Sequence, residues 1–296
     1  MEDILLSLQD VDMYYAGGYV GLTGVTMQVA SGATTVVVGE SASGKTNLAR
    51  TICGLERPSN GAITVDGQDL TAIPLQRRNF GMTFGRDSYR RKSTVRESIT
   101  QPLTLRGQSL EEVGDIAEAT QIVGLLDMPI SSIDDTTLAK VSLARLLAPS
   151  RTLYVADNPL AALGEDRYEY LQRIRPLLDG KSVLWLTSDL VEAQMLSNRL
   201  YVMGGCSIVD TIVGDSYPRH IATALLRGAD PQIATLRYVG CDWLIDTEDK
   251  FYRCAKPIDR IYQDKKILAI RLLNGQIDVN NYFDPSSQYN VADRGA

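Results

Sequence analysis

Residues 39–46 read Gly39-Glu40-Ser41-Ala42-Ser43-Gly44-Lys45-Thr46, a complete G-x-x-x-x-G-K-T phosphate loop. The chemistry of such a loop is the holding of a polyphosphate. Glycines let the backbone turn tightly, and N–H groups at the start of the following helix converge on anionic oxygens. Lys45 would reach the β- and γ-phosphates, and the Thr46 hydroxyl would hold Mg²⁺. Four fixed positions in a strand–loop–helix setting set the match apart from a chance glycine-rich turn. The chain is expected to bind a nucleoside triphosphate with Mg²⁺.

The elements around the loop must aim it. Thr34–Val38 reads as the buried strand before it and Asn47–Cys53 as the helix after it. Upstream, Leu5–Val11 and Gly24–Val29 read as short strands around a loop carrying Tyr14, Tyr15 and Tyr19. Downstream, Ala62–Val65 and Phe80–Phe84 read as strands separated by a turn region with Gly67 and Pro74. Residues 86–148 read as mostly helical, with Leu110–Leu126 carrying helical apolar spacing at Val113, Ile116, Ala117, Ile122 and Val123. Thr152–Ala156 and Val183–Thr187 are fully apolar runs leading into helices, the pattern of parallel strands covered on both faces. From about Gly228 the chain changes to aromatic and β-branched runs broken by Asp, Asn and Gly, which sets a boundary there.

Composition agrees with a soluble, intracellular α/β protein. The 296 residues suffice for one large core and an appendage, or for two domains. The formal net charge of −6 gives no basic field of the kind nucleic acid binding requires, so no nucleic-acid partner is expected. Cys53, Cys206, Cys241 and Cys254 show no C-x-x-C spacing and read as reduced structural thiols. Met1-Glu2-Asp3-Ile4 lacks the basic start of a signal peptide, and no run of 18 apolar residues occurs. If the protein works at a membrane, another chain must hold it there.

Three further stretches carry a resemblance. They are Thr94-Val95-Arg96-Glu97-Ser98-Ile99 with Pro102-Leu103-Thr104-Leu105-Arg106-Gly107; Val141-Ser142-Leu143-Ala144-Arg145-Leu146-Leu147; and Tyr154-Val155-Ala156-Asp157-Asn158-Pro159-Leu160-Ala161-Ala162-Leu163. With the phosphate loop, these make the chain resemble the nucleotide-binding subunit of an ATP-binding-cassette (ABC) transporter over about Leu5–Leu226, in the flavour of bacterial sugar importers. The resemblance implies an α/β fold with a P-loop core of parallel strands, an antiparallel β subdomain and a helical subdomain over about residues 86–148. It implies a cassette over 1–228 and a short β-rich extension over 229–296, a truncated or diverged regulatory domain. It also implies ATP and Mg²⁺ as ligands, transmembrane permease subunits and a second ABC ATPase subunit as partners, and a peripheral place on the cytoplasmic face of the cell membrane.

Mapped residue by residue, the binding half of the family's machinery is present. Tyr15 falls where the family stacks an aromatic on adenine, with Tyr14 as the register alternative. Asp157 closes its strand at the position of the carboxylate that orients Mg²⁺ through water. The catalytic half is absent. Asn158 stands for the glutamate that polarises the attacking water, Ser188 for the switch histidine, Gly85 for the glutamine that senses γ-phosphate and Mg²⁺, and Gly164 for an aspartate. An amide neither takes a proton nor supplies charge, and a general base is worth roughly 10²–10⁴ in rate.

The resemblance places the family's Leu-Ser-Gly-Gly-Gln signature on Ile133-Asp134-Asp135-Thr136-Thr137. In the family that segment grips the partner's γ-phosphate with a hydroxyl and glycine N–H groups. At ~4 Å and an effective dielectric of about 20, each carboxylate–phosphate pair here would repel by several kcal/mol unless a cation intervenes. Capping of the following helix by Asp134 and Asp135 is the favoured reading. Because the family's sites are shared between two subunits, a homodimer of this chain is expected to lack a competent site. A catalytically degenerate ATP-binding subunit paired with an active paralogue is the reading that follows. The basic stretch Arg86-Asp87-Ser88-Tyr89-Arg90-Arg91-Lys92 lies where the family receives a permease helix. Two rivals stand beside this: an active ATPase using Glu165, Asp166 or Asp189 instead, and a soluble regulator built on the cassette fold.

Overall fold

The computed structural model describes residues 3–70, 73–74, 77–83, 85–197 and 199–213, together with the strand segments 232–239, 242–246, 251–253, 266–271 and 277–278. The chain divides into two compact units, Met1–Ile208 and Val209–Ala296. The boundary expected near Gly228 lies outside the described residues.

Two sheets are built almost wholly from the first unit, with only the strand Ser207–Val213 running on past Ile208. Strands β1 (Ile4–Tyr14), β2 (Val20–Ala30), β4 (Asn60–Val65) and β5 (Gln68–Asp69) form an antiparallel sheet ordered β2-β1-β4-β5. Strands β3 (Thr34–Val38), β6 (Phe80–Met82), β7 (Leu153–Asp157), β8 (Val183–Thr187), β9 (Arg199–Gly204) and β10 (Ser207–Val213) form the second, ordered β10-β9-β3-β8-β7-β6. The β3–β9, β3–β8, β8–β7 and β7–β6 pairs are parallel, as the unbroken apolar runs of β3, β7 and β8 require. Val38 pairs with Thr187 and Asp157 with Leu186, so these three strands end together at one edge. Loops that leave that edge are where an open parallel sheet binds ligands.

Helix α1 (Lys45–Cys53) packs its buried Leu48, Ala49 and Ile52 into a core shared by both sheets, with Leu8, Val37, Val155 and Leu186. A second core, built from Val95, Ile99, Ile116, Leu138 and Val141, joins α2 (Val95–Thr104), α3 (Val113–Ala119) and α4 (Asp135–Leu147). Helix α2 begins in a capping box, with Glu97 N–H donating to Thr94 Oγ1 at 3.1 Å and Thr94 N–H donating to Glu97 Oε2 at 2.9 Å. Two short helices, α5 (Arg167–Ile174) and α6 (Leu190–Leu196), follow β7 and β8.

The helical reading of Leu110–Leu126 is longer than the helix found. Helix α3 stops at Ala119, because the Thr120 hydroxyl donates to the Ile116 carbonyl at 2.6 Å and Gln121 takes a left-handed φ of 58°. Apolar spacing persisted across a break that those two residues impose locally.

In the second unit, β11 (Gln232–Val239), β12 (Asp242–Asp246), β13 (Phe251–Arg253), β14 (Lys266–Arg271) and β15 (Ile277–Asp278) form an antiparallel sheet ordered β13-β12-β11-β14-β15. No helix among the described residues is long and apolar enough to cross a membrane.

Candidate functional site

The phosphate loop runs from the end of β3 into α1. Ala42 has φ 65° and Gly44 φ 104°, and the Ser43 N–H donates back to the Glu40 carbonyl at 3.2 Å. A Cβ at Gly39 would fall 2.3 Å from the Met203 carbonyl oxygen, and one at Gly44 would fall 2.9 Å from the Met203 methyl. Glycine at both positions is what lets the loop lie against β9. The helix cap is Gly44, which has no side chain to close the first turn, and no acidic residue stands in that turn. The first N–H groups of α1 are left for an anion.

Lys45 is 6 % exposed and folds back over the loop. Its ammonium donates to the carbonyls of Gly39 at 2.6 Å and Glu40 at 2.7 Å and to Ser43 Oγ at 3.2 Å. Burial lowers its pKa, with Asp157 and Glu40 opposing the shift. A buried cation held only by neutral oxygens is receptive to an anion.

Asp157 stands at the C-terminal end of β7 and accepts a hydrogen bond from the Thr46 hydroxyl. Burial raises its pKa, against the Thr46 bond and the charges of Lys45 and Arg50. The structure therefore brings Lys45, Thr46 and Asp157 together, as phosphate ligand and metal ligands require. This donor set of hydroxyl and carboxylate oxygens suits a hard divalent cation.

Two partners of this group escaped the sequence reading. Thr83, 8 % exposed beyond β6, accepts from the Asp157 N–H at 2.9 Å through Oγ1 and so fixes the end of β7. Asn47 accepts from the Tyr15 hydroxyl at 3.0 Å and donates to the Gly21 carbonyl at 3.2 Å. These bonds hold Tyr15, 37 % exposed, beside the first turn of α1. Neither residue sits in a motif, and only the fold places it.

Asn158 and Ser188, which the resemblance aligns with the family's glutamate and switch histidine, are tied to each other. Asn158 takes a left-handed φ of 48°, donates its N–H to the Leu186 carbonyl at 2.8 Å, and accepts from the Ser188 N–H at 3.3 Å through Oδ1. Among residues with a Cβ, Asn adopts that backbone most readily. Asp189, weighed as a relocated acid, is fully engaged. It caps α6 by accepting from Val191 and Glu192 N–H at 2.8 and 3.0 Å, pairs with Arg167 Nη1 at 3.1 Å, and accepts from the Tyr168 hydroxyl at 2.9 Å. Asp166 occupies the cap position of α5 without a side-chain cap bond. The Glu165 side chain and Phe84 lie outside the described residues.

At the start of α4, Asp134 caps the helix, accepting from the Thr137 N–H at 2.7 Å, and the Thr137 hydroxyl together with that N–H lowers its pKa. Asp135 is met by a cation: Arg86 Nη2 lies 2.7 Å and Nε 3.2 Å from its Oδ1. The same guanidinium donates to the carbonyls of Ile130 at 3.2 Å and Ile133 at 3.0 Å. The Thr136 hydroxyl donates to the Ala162 carbonyl at 2.9 Å. Gly85, exposed, precedes this arginine. Within the basic stretch, Arg90, Arg91 and Lys92 are exposed, while Tyr89 is 7 % exposed and lies under Arg145, whose guanidinium is 5.0 Å from its ring centre. Tyr89 belongs to the helical core and is not free to dock a partner.

Comparison with known proteins agrees with this geometry. Residues 22–161 match the family model described as ABC transporter. The sulfate/thiosulfate import ATP-binding protein CysA of Mycolicibacterium paratuberculosis is 31% identical over 209 residues, 68% of this chain and 57% of that protein. The cell division ATP-binding protein FtsE of Escherichia coli is 30% identical over 211 residues, 67% of this chain and 93% of that protein. The chain thus spans just over half the length of the import relative. Among solved structures, the dimeric form of a bacterial ABC transporter cassette superposes with a TM-score of 0.64 at 22% identity, covering 70% of this chain and 97% of that one. At that identity the likeness speaks for the fold.

Proposed function

The chain belongs to the ABC transporter family of ATP-binding cassettes, and from that premise we propose that it is a catalytically degenerate ATP-binding subunit of a solute importer. In this reading Lys45 and the N–H groups of residues 39–46 hold the ATP phosphates. Thr46 and Asp157 hold Mg²⁺, and Tyr15 stacks on the base. The one observation that carries the reading is the contrast between the two halves of the site. Lys45, Thr46 and Asp157 converge as a binding set, while Asn158 and Ser188 hydrogen-bond each other where an acid and an imidazole would be needed.

The bound metal would supply charge neutralisation at the phosphates. What the chain itself lacks is a group to take a proton from water, since neither the Asn158 amide nor the Ser188 hydroxyl is basic near neutral pH. At the start of α4 the Thr137 N–H is taken by the Asp134 carboxylate and the Thr136 hydroxyl by the Ala162 carbonyl, which withdraws two phosphate donors from a partner's site. An active paralogue is therefore required for turnover, and the exposed Arg90, Arg91 and Lys92 offer a permease helix with acidic residues a docking surface. Import rests on the kinship with CysA. Sugar as the cargo class rests on the sequence resemblance alone.

A second reading, a regulator without a permease, is favoured by one fact: the relative covered over 93% of its length is named for cell division. Isolation of the chain from native membranes with its associated proteins separates the two. Co-purification of a multi-spanning permease and a second, intact cassette is expected. Recovery of the chain alone, or with no cassette partner, contradicts the proposal.

A further inference from the structure

Three exposed tyrosines, Tyr14, Tyr15 and Tyr19, border the turn between β1 and β2. Of the three, Tyr15 is the one bonded to α1, its hydroxyl donating to Asn47 Oδ1 at 3.0 Å. A phenol at the surface ordinarily turns its polar tip to water. Here the tip is held instead by an amide on the first turn of the helix that follows the phosphate loop.

The Asn47 amide has one workable orientation. Its Nδ2 donates to the Gly21 carbonyl at 3.2 Å. A carbonyl accepts and cannot donate, so the amide oxygen must face Tyr15 and take the hydroxyl proton. The ring edge lies over Gly21, where a Cβ would fall 3.2 Å from Tyr15 Cε2, so glycine there lets the ring settle against the start of β2. The Gly21 carbonyl oxygen would itself lie 3.2 Å from a Cβ on Gly44, which brings β2 directly against the phosphate loop. A second tie runs beside the first: the Cys206 N–H donates to the Ser43 carbonyl at 3.0 Å, and the Cys206 carbonyl accepts from the Thr23 N–H at 2.8 Å. The start of β2, the phosphate loop and the first turn of α1 are thus braced together, and Tyr15 is fastened to the brace by its hydroxyl.

We propose that Asn47 is a positioning residue for the nucleotide base, acting through Tyr15: it orders the phenol ring relative to the phosphate loop before a nucleotide arrives. The inference rests on the reading of Tyr15 as the surface on which the base stacks. Asn47 lies two positions after Lys45 in α1, so the ring and the phosphate ligand are referred to one rigid element. Ordering a free side chain at the moment of binding costs about two- to tenfold in affinity. The Asn47 bond removes that cost in advance.

Equilibrium binding of Mg·ATP and of magnesium tripolyphosphate, which has no base, tests this on the wild type, Asn47→Ala, Tyr15→Phe, the double variant of these two, and Tyr15→Ala. Asn47→Ala also deprives the Gly21 carbonyl of a donor, so Tyr15→Phe, which removes a single hydroxyl, supplies the arm that leaves the brace intact. Asn47→Ala and Tyr15→Phe are each expected to weaken ATP binding by about two- to tenfold. The double variant should lose no more than the weaker of the two, because both remove the same bond. Tripolyphosphate should bind all of them as it binds the wild type. A loss of tripolyphosphate affinity in Asn47→Ala as large as the loss for ATP overturns the proposal, since Asn47 would then serve the phosphates. Additive losses in the double variant overturn it too, as does unchanged ATP affinity in Asn47→Ala and Tyr15→Phe while Tyr15→Ala weakens binding. Unchanged ATP affinity in Tyr15→Ala instead removes the stacking reading on which the proposal stands.

Discussion

Glu192 shows how one side chain's environment becomes a measurable property of the fold. It is 2 % exposed in α6 and accepts from Trp185 Nε1 at 3.2 Å. Burial, reinforced by the Asp189 charge, pushes its carboxyl up from 4.5 to about 7, while hydrogen bonds from Thr187 and Trp185 hold it back. Between those values the folded chain keeps a proton that the unfolded chain has released. The favourable contribution is therefore whole below 4.5 and lost as pH rises through about 7. Glu192→Gln should flatten that dependence: its melting temperature should exceed the wild type's at pH 8 and match it near pH 4.5. Parallel thermal melts across that range check this, and a constant offset between the two proteins at every pH would refute it.

Among elements, the junction between the parallel sheet and the helical layer depends on one side chain from each. Arg86, just beyond β6, reaches 49 positions along the chain to Asp135 and to two carbonyls ahead of α4. The ion pair alone is worth little, because its side chains are 41 % and 82 % exposed. The two carbonyl bonds add to it, so Arg86→Ala should destabilise the chain by about 1–2 kcal/mol. The loss should be local, with faster amide hydrogen exchange over Ile130–Leu138 and little change in β3, β7 and β8. Uniform acceleration across the sheet would show that the clamp is not confined to this junction.

The ease of reading the sequence differed by element for physical reasons. β3, β7 and β8 were legible to within a residue, because strands buried on both faces are continuous apolar runs. The phosphate loop was legible because its spacing is local. β1 and β2 proved several residues longer than read, since their outer portions alternate with polar residues and draw stability from pairing with each other. Arg86 was assigned to a docking surface, and its partner could not be read because a contact across 49 positions leaves no periodic trace. Thr83 and Asn47 were missed for the same reason: each acts through a long-range hydrogen bond to Asp157 or Tyr15.

For the molecule as a whole, the proposal assigns one half of a two-subunit machine to this chain, and repair of its site tests that division. Asn158→Glu with Ser188→His should restore a base and an imidazole to the composite site formed with an intact paralogue. The gain in that heterodimer should approach the ~10²–10⁴ of a general base. Glutamate at the left-handed position 158 costs ~1 kcal/mol, and Gly85 and Gly164 remain, so the gain should fall short of full activity. The same double variant alone should gain hardly anything, since Asp134 still occupies the start of α4. Equal gains with and without the partner would contradict the assignment of two unequal sites.

The central claim, ATP binding without turnover, is reached most directly by phosphate release from the purified chain under saturating Mg·ATP, with Lys45→Ala as the control and nucleotide binding measured on the same samples. The account predicts that the wild type binds ATP, that Lys45→Ala binds it far more weakly, and that the two release phosphate at the same background rate. Mg²⁺-dependent phosphate release by the wild type that disappears in Lys45→Ala would contradict it.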